Sequence, residues 1–335
     1  MSAPATQAGP RGGPQRVLVA LGGNAMTGAD GRATEADQIA ALTEAARHIA
    51  TLVAAGVEVA IAHGNGPQVG NLLVKNELSA AVVPPVPLDW CVAQTQATIG
   101  FVLVNALEHQ FAARGIARRA VPLVTRTLVD EDDVAFHDPV KPVGRYVDAL
   151  EAVRFTALGQ QWRDFGAKGW RRVVASPSPQ QILDADVART LVRAGVVVIC
   201  AGGGGIPVVR DPDGALRGIE AVVDKDLAAG LLAEELDCDT LVIATDVSHA
   251  VLGHGTGSAA DIGEIDPDTL AGHHAAGEFG AGSMAPKVAA AQRFAAKPGR
   301  TSIITSLEFL AAAVTDPRGE IATVVRHRSA IPPHH

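Results

Sequence analysis

The chain has 335 residues, 47% of them apolar, three cysteines and a formal net charge of -8. That length allows one large or two ordinary domains around a sizeable core. The acidic balance, with no basic face interleaved with aromatics, argues against nucleic acid as a main partner. Cys91, Cys200 and Cys238 are odd in number, far apart and set in apolar segments, the pattern of reduced core thiols in a cytoplasmic protein. No unbroken apolar run of about 18 residues points to a membrane span.

Residues 1–15 are rich in Ala, Gly and Pro and read as a disordered tail, not a signal peptide. A first strand, 16–21, runs into Gly22-Gly23-Asn24. The next helix opens at Thr34 with Asp37 as its capping-box partner, and carries the apolar stripe Ile39, Leu42, Ala46, Ile49, Val53 up to Gly56. A second strand, 57–62, ends in His63-Gly64-Asn65-Gly66-Pro67-Gln68-Val69-Gly70, with a helix expected to begin near Pro67. Asp89 is expected to cap a long helix ending before Gly115, with a strand over 120–125.

The middle of the chain breaks this rhythm. Asp130-Glu131-Asp132-Asp133 and Asp138-Pro139-Val140-Lys141-Pro142-Val143-Gly144 mark a lobe inserted over 126–171, after which Val173-Val174-Ala175 is expected to resume the sheet. A helix over 184–194 leads to the β-branched run Val196-Val197-Val198-Ile199-Cys200, which reads as a strand buried on both faces. It ends in Ala201-Gly202-Gly203-Gly204-Gly205-Ile206-Pro207, whose four glycines can bring backbone against a ligand at the carboxyl edge of a sheet. Asp211-Pro212-Asp213-Gly214 is a hairpin turn. Helices then open at Asp224-Lys225-Asp226, Asp266-Pro267, Pro286 and Leu307, and strands cover 240–245, 301–305 and 321–325. Repeated strand–turn–helix units predict an α/β fold, a three-layer αβα sandwich with a mostly parallel central sheet.

Gly22-Gly23-Asn24 and His63-Gly64-Asn65-Gly66 are one device used twice, a glycine turn after a buried strand with a short amide side chain. Such loops can cradle phosphate oxygens, although each alone reads equally as a plain turn. Neither is a Walker A loop or G-x-G-x-x-G. Lys141, Lys225 and Lys287 stand in loop or helix-start contexts in a chain that uses Arg for most of its positive charge, and a compact ammonium suits a transferring phosphoryl group. The alternative is an ion-paired helix start for Lys225 and a solvated face for Lys287. His249, His254, His273 and His274 lack the spacing of a zinc site and read as solvated, and no metal-ligating set is identified. Gly253-His254-Gly255-Thr256-Gly257 is too weak a nucleotide-loop pattern to use, and Ser283 is not in a G-x-S-x-G elbow.

Eight segments, in order along 16–325, resemble the signatures of the carbamate kinases. They are Ala20-Leu21-Gly22-Gly23-Asn24-Ala25, His63 to Gly70, Lys141-Pro142-Val143-Gly144, Ala201 to Pro207, Asp224-Lys225-Asp226-Leu227-Ala228, Thr245-Asp246-Val247, Gly282-Ser283-Met284-Ala285-Pro286-Lys287 and Ile304-Thr305-Ser306-Leu307-Glu308. The resemblance implies the amino acid kinase fold and reversible phosphoryl transfer between carbamoyl phosphate and ADP, giving ATP and carbamate, with Mg²⁺, in a cytoplasmic homodimer without a nucleic-acid or membrane partner. It implies a domain over 16–205 for the acyl phosphate and carbamate, with the lobe inserted, and one over 206–328 for the nucleotide. Gly22, Gly23 and Asn24 would face the transferred group, and Gly64, Asn65 and Gly66 would hold the acyl substrate. Lys141, Lys225 and Lys287 would neutralise phosphate charge, with Asp226 and Asp224 orienting lysine and metal–nucleotide. Gly203, Gly204, Gly205 and Asp246 would lie with the nucleotide.

The chain departs from the family after Val247. An acidic residue and an aromatic, Asn-containing stretch give way to Ser248-His249-Ala250-Val251-Leu252-Gly253-His254-Gly255-Thr256. That change leaves two alternatives, a paralogue acting on another small carboxylate or carbamate and an inactive nucleotide-binding regulator. Retention of all three lysines weighs against the regulator, which needs affinity but no compensation of transition-state charge.

Overall fold

The computed structural model describes residues 13–23, 34–279 and 284–327. Among them an eight-stranded sheet runs in the order Glu264–Ile265, Thr323–Val325, Thr301–Ser306, Thr240–Thr245, Arg16–Leu21, Glu58–His63, Val197–Ile199, Ala120–Pro122. The six strands from Thr301–Ser306 to the Ala120–Pro122 edge are mutually parallel, and the first two run against them. Arg16–Leu21 pairs with Glu58–His63 on one side and Thr240–Thr245 on the other, so segments 16–205 and 206–328 share one sheet. Its side chains alternate between two cores. Leu18 and Ala20 join Ala228, Leu232 and Phe294, while Val17, Val19 and Leu21 join Leu42, Ile49 and Leu103. Helices therefore cover both faces, the three-layer arrangement expected for a parallel sheet.

The helices begin and end where local chemistry dictates. Thr34 caps Glu35–Ala54 by accepting from the Asp37 amide, and Gly56 follows at φ 84°. Of its apolar stripe, Leu42, Ala46, Ile49 and Val53 are buried and Ile39 is exposed. The helix Gly66–Ser79 has proline in its first turn. Asp224 and Asp266 cap Lys225–Glu235 and Pro267–Ala275. The long helix Leu88–Arg114 starts at Pro87, with Asp89 inside the first turn, where its charge favours the helix dipole, and it ends at Gly115 in the left-handed region. This helix is long and apolar enough to cross a membrane by length and composition. Here it sends Ile99, Leu103, Leu107 and Phe111 into the core.

Two further sheets lie outside the central one, and residues 126–171 contribute strands to both. Arg126–Val129 joins Leu216–Gly218, Ile206–Arg210 and Pro179–Ile182 in a four-stranded sheet, whose Arg210/Leu216 hairpin is the predicted Asp-Pro-Asp-Gly turn. Lys141–Val147, Trp170–Val174 and Gln161–Asp164 form an antiparallel three-stranded lobe backed by the helix Ala149–Thr156. Val173 and Val174 thus belong to the lobe and not, as the sequence reading had it, to a resumed central strand. A run of β-branched residues does not say which neighbour it pairs with, and here the nearby lobe strands take it. The lobe's own core is small, Val147, Ala152 and Trp162, with Phe155 stacked on Trp162 at 5.4 Å.

Candidate functional site

The carboxyl ends of the parallel strands meet at one point. Gly22 donates to Ala244 O at 2.9 Å and Gly64 to Leu21 O at 3.0 Å, which ties three strand ends together. Strand order changes direction about Arg16–Leu21, so these turns sit where an open α/β sheet leaves a crevice. A cavity of about 880 Å³ opens there, lined at its floor by Gly23, Gly64, Asn65, Gly66, Gly203 and Lys225, and at its lobe wall by Lys141 to Arg145 and Arg171.

The four-glycine loop is a rigid part of this floor. Gln96, buried on the long helix, donates to Thr125 O and Gly202 O and accepts from the Thr125 amide. Thr125 Oγ1 accepts from Ala201 N, and Thr127 Oγ1 donates to Gly204 O at 2.8 Å. Gly203 has φ 66°, and a Cβ there would lie 2.1 Å from Asn65 Nδ2; one at Gly205, φ 87°, would lie 2.0 Å from Thr127 Oγ1. Neither position admits a side chain. The glycines let the loop nest against Asn65 and Thr127, and Asn65 is itself fixed by donating to Thr95 Oγ1 at 2.9 Å.

The lysines gather on two aspartates. Asp226, 3% exposed, binds Lys225 Nζ through Oδ1 and Lys287 Nζ through Oδ2 at 3.1 Å. Lys287 is 7% exposed, so it is no solvated face. Burial pushes the Lys225 ammonium below the usual lysine range; the Asp226 charge opposes this and the Lys287 charge adds to it. Asp224 uses one oxygen to cap the helix carrying Lys225, accepting from the amides of Asp226 and Leu227, and the other to hold Lys141 Nζ at 2.7 Å. Burial raises the Asp224 pKa, but the Lys141 charge and these hydrogen bonds outweigh it and keep the carboxyl below its ordinary value. His63, fully buried beside this centre, is pushed down to about 4 by burial, and its Nδ1 bonds Gly64 O at 2.7 Å.

Lys141 on Asp224, and Lys225 and Lys287 on Asp226, thus form two adjacent ion-pair groups joined by the Asp226 amide's bond to Asp224, and Gly22, Gly23, Gly64, Asn65, Gly66 and Gly203 meet at the strand ends beside them. Gly204 and Gly205 pack on Val223 and Thr127 behind the cavity floor. Asp246 lies apart at the exposed end of Thr240–Thr245, accepting from Thr245 Oγ1. Asn24 and Ser283 lie outside the described residues. After Val247, Val251–Leu252 and Ala260–Asp261 pair as a small hairpin. Its neighbour His249 is buried, bonded to Ser248 Oγ and Gly319 O, which corrects the solvated reading of that histidine. Gln96, Thr125 and Thr127 escape a motif search, and only the polar pair Thr95-Gln96 on the otherwise apolar buried face of its helix hints at their role. All three cysteines are free and buried, and burial raises each thiol, Cys200 to about 12.

Comparison with known proteins points one way. Residues 15–306 match the model of the amino acid kinase family. A carbamate kinase of Pyrococcus horikoshii is 40% identical over 299 residues, covering 88% of this chain and 95% of the relative. Carbamate kinase 1 of Enterococcus faecium is 39% identical over 298 residues, 88% of this chain and 94% of the relative. Among solved structures, carbamate kinase from Giardia lamblia bound to AMP-PNP superposes with a TM-score of 0.87 at 39% identity, covering 93% of this chain and 98% of that one.

Proposed function

We infer that this chain, which belongs to the amino acid kinase family and to the carbamate kinases within it, is a phosphotransferase that interconverts carbamoyl phosphate and ADP with carbamate and ATP. The observation that carries the reading beyond kinship is the meeting of Lys141 and Lys225 on the lining of one cavity floored by glycine turns, with Lys287 clamped beside Lys225 through Asp226. Phosphoryl transfer asks a protein for positioning and charge compensation, with little covalent chemistry. Lys225 and Lys287, locked on Asp226, stand ready to neutralise the transferring group without reorganising. Gly22 and Gly23 would face that group. Gly64, Asn65 and Gly66 would hold the carbamoyl end, Asn65 being pre-set by Thr95. Lys141 would follow the phosphate from the lobe by exchanging its bond to Asp224. The nucleotide would lie along the 206–328 half, by Asp224 at its helix cap and Asp246 at the end of Thr240–Thr245, with Gly203 on the adjoining cavity floor and Gly204 and Gly205 shaping the turn behind it.

Among the described residues no group of three or more His, Cys, Asp or Glu converges to cage a metal. Asp226 is engaged by Lys225 and Lys287, so Asp224, whose Oδ2 is freed when Lys141 leaves, is the carboxylate that would hold Mg²⁺, which binds through one or two carboxylates plus substrate phosphates. Mg²⁺ held there with the nucleotide would supply charge neutralisation at the phosphates. The chain would act as a cytoplasmic homodimer. Among the described residues the edge strand Ala120–Pro122 pairs on one side only, with exposed Phe101 and Val124 near it, which supports a self-contact at that edge.

The test is ATP formation from carbamoyl phosphate and ADP in a coupled assay, with acetyl phosphate as a competing donor. Turnover selective for carbamoyl phosphate is expected. Turnover with acetyl phosphate alone would favour the paralogue reading, and none with either donor would defeat the kinase assignment.

A further inference from the structure

The cavity extends well past the lysines. At about 880 Å³ it is of the size that takes drug-sized ligands, far larger than an acyl phosphate of a few atoms. Its outer wall is the lobe, and there one cation differs from the rest. Lys141 is held by Asp224, and Arg145 by Glu77 and Glu151. Arg171 has no carboxylate partner among the described residues, yet it is firmly held. Its guanidinium lies 5.0 Å from the centroid of the Tyr146 ring, and that ring meets Phe165 edge-on at 6.0 Å. Its Nε donates to Gly144 O at 3.0 Å, a carbonyl presented by the irregularity between Val143 and Tyr146, where Gly144 has φ 68°. One donor and one face are thus used for positioning, and the terminal N–H fork makes no bond among the described residues. A fixed, stacked guanidinium with a free fork on a cavity wall is the arrangement that recognises a carboxylate or phosphate bidentately.

We propose that Arg171 forms a second anion subsite on the lobe wall of this cavity, taking the carboxylate end of a ligand whose phosphoryl end sits at Lys141 and Lys225. The phosphoryl placement rests on the kinase reading above; the subsite itself rests on the geometry of Arg171. The ligand class is a short chain with two anionic ends, one phosphoryl and one carboxylate. Such a molecule would occupy the acyl phosphate's place and the lobe wall together, holding the lobe against the sheet.

The probes are phosphonoacetate, phosphonopropionate and phosphonobutyrate, each compared with the alkylphosphonate of equal chain length, by titration calorimetry on the full chain. At the length that reaches Arg171 the carboxylate should tighten binding roughly tenfold, the effect of one charge-assisted hydrogen-bonded contact. Arg171→Met should abolish that gain and leave alkylphosphonate affinity unchanged; Arg171→Lys, which keeps the charge without the fork, should retain only part of it. No gain at any length in the unaltered chain, or a gain that survives both substitutions, overturns the subsite. An Arg171-dependent gain in a chain that makes no ATP from carbamoyl phosphate would defeat the kinase reading and leave the subsite standing.

Discussion

Two aspartates, two residues apart, hold the three lysines, Asp226 two and Asp224 one, and their surroundings set them apart. Asp226 is buried on the central sheet side, and both its partners come from helices packed on that sheet, Lys225–Glu235 and Met284–Ala295. Asp224 reaches across to Lys141, a third exposed, on a lobe with a core of three buried residues. Breaking a buried pair by removing one partner leaves an uncompensated charge in low dielectric, whereas a part-exposed pair exchanges its partner for water or ligand at small cost. The same lysine–aspartate chemistry therefore yields a fixed electrostatic centre at Asp226 and a releasable contact at Asp224.

The largest effect should come from removing the fixed centre's anion. Asp226→Asn leaves two buried lysines without a counter-charge, so unfolding free energy should drop by about 3–5 kcal/mol and kcat by roughly 10³-fold. Lys225, already lowered by burial, loses the charge that opposed that shift. The residual activity should therefore fall with rising pH at a lower pH than in the unaltered chain, as Lys225 gives up its proton more readily. A variant of normal stability and flat pH dependence would show that Asp226 does not organise the lysines. Chemical denaturation and a pH–rate profile measure both.

The releasable contact should behave differently. Lys141→Met should reduce kcat/KM by about tenfold, mostly through KM, with stability changed by less than about 1 kcal/mol because the pair is part-exposed. Limited proteolysis within 129–145 should slow when carbamoyl phosphate and ADP are both present, since the lobe then gains a partner for Lys141. Cleavage indifferent to ligand would make the lobe a static wall.

A smaller effect falls on stability alone. His63 titrates near 6.5 in the unfolded chain and near 4 when folded, so between these values the unfolded chain binds the extra proton. Stability from this group should thus fall as pH drops, by about 2 kcal/mol from pH 7 to pH 5. In His63→Gln the thermal midpoint should lose that part of its acid sensitivity. An unchanged pH dependence would mean other groups govern it.

The sequence was most informative where chemistry is local. Thr34, Asp224 and Asp266 cap helices because a short side-chain oxygen before an apolar stripe has few other uses, and Gly56 and Gly115 stop helices at positive φ. Non-local pairing was harder to read. Val173 and Val174 look like any core strand, and only tertiary contact assigns them to the lobe. Likewise Lys287 is far from Asp226 in the chain, so nothing in Pro286-Lys287 reveals that its charge is buried and clamped. The glycines of 202–205 suggested backbone free for a ligand. In space most of their room is taken by Asn65, Val223 and Thr127, and Gly203 alone of the four lines the cavity.

The contrast between the two aspartates is tested most directly by a pair of double-mutant cycles in kcat/KM. Lys225, Lys287 and Asp226 should act as one unit, so Asp226→Asn combined with Lys287→Met should be little slower than the slower single variant. Lys141→Met combined with Lys287→Met should lose close to the product of the two single losses. Multiplicative losses in the first cycle, or a double variant no slower than the slower single in the second, would contradict the division into a fixed centre and a releasable lobe contact.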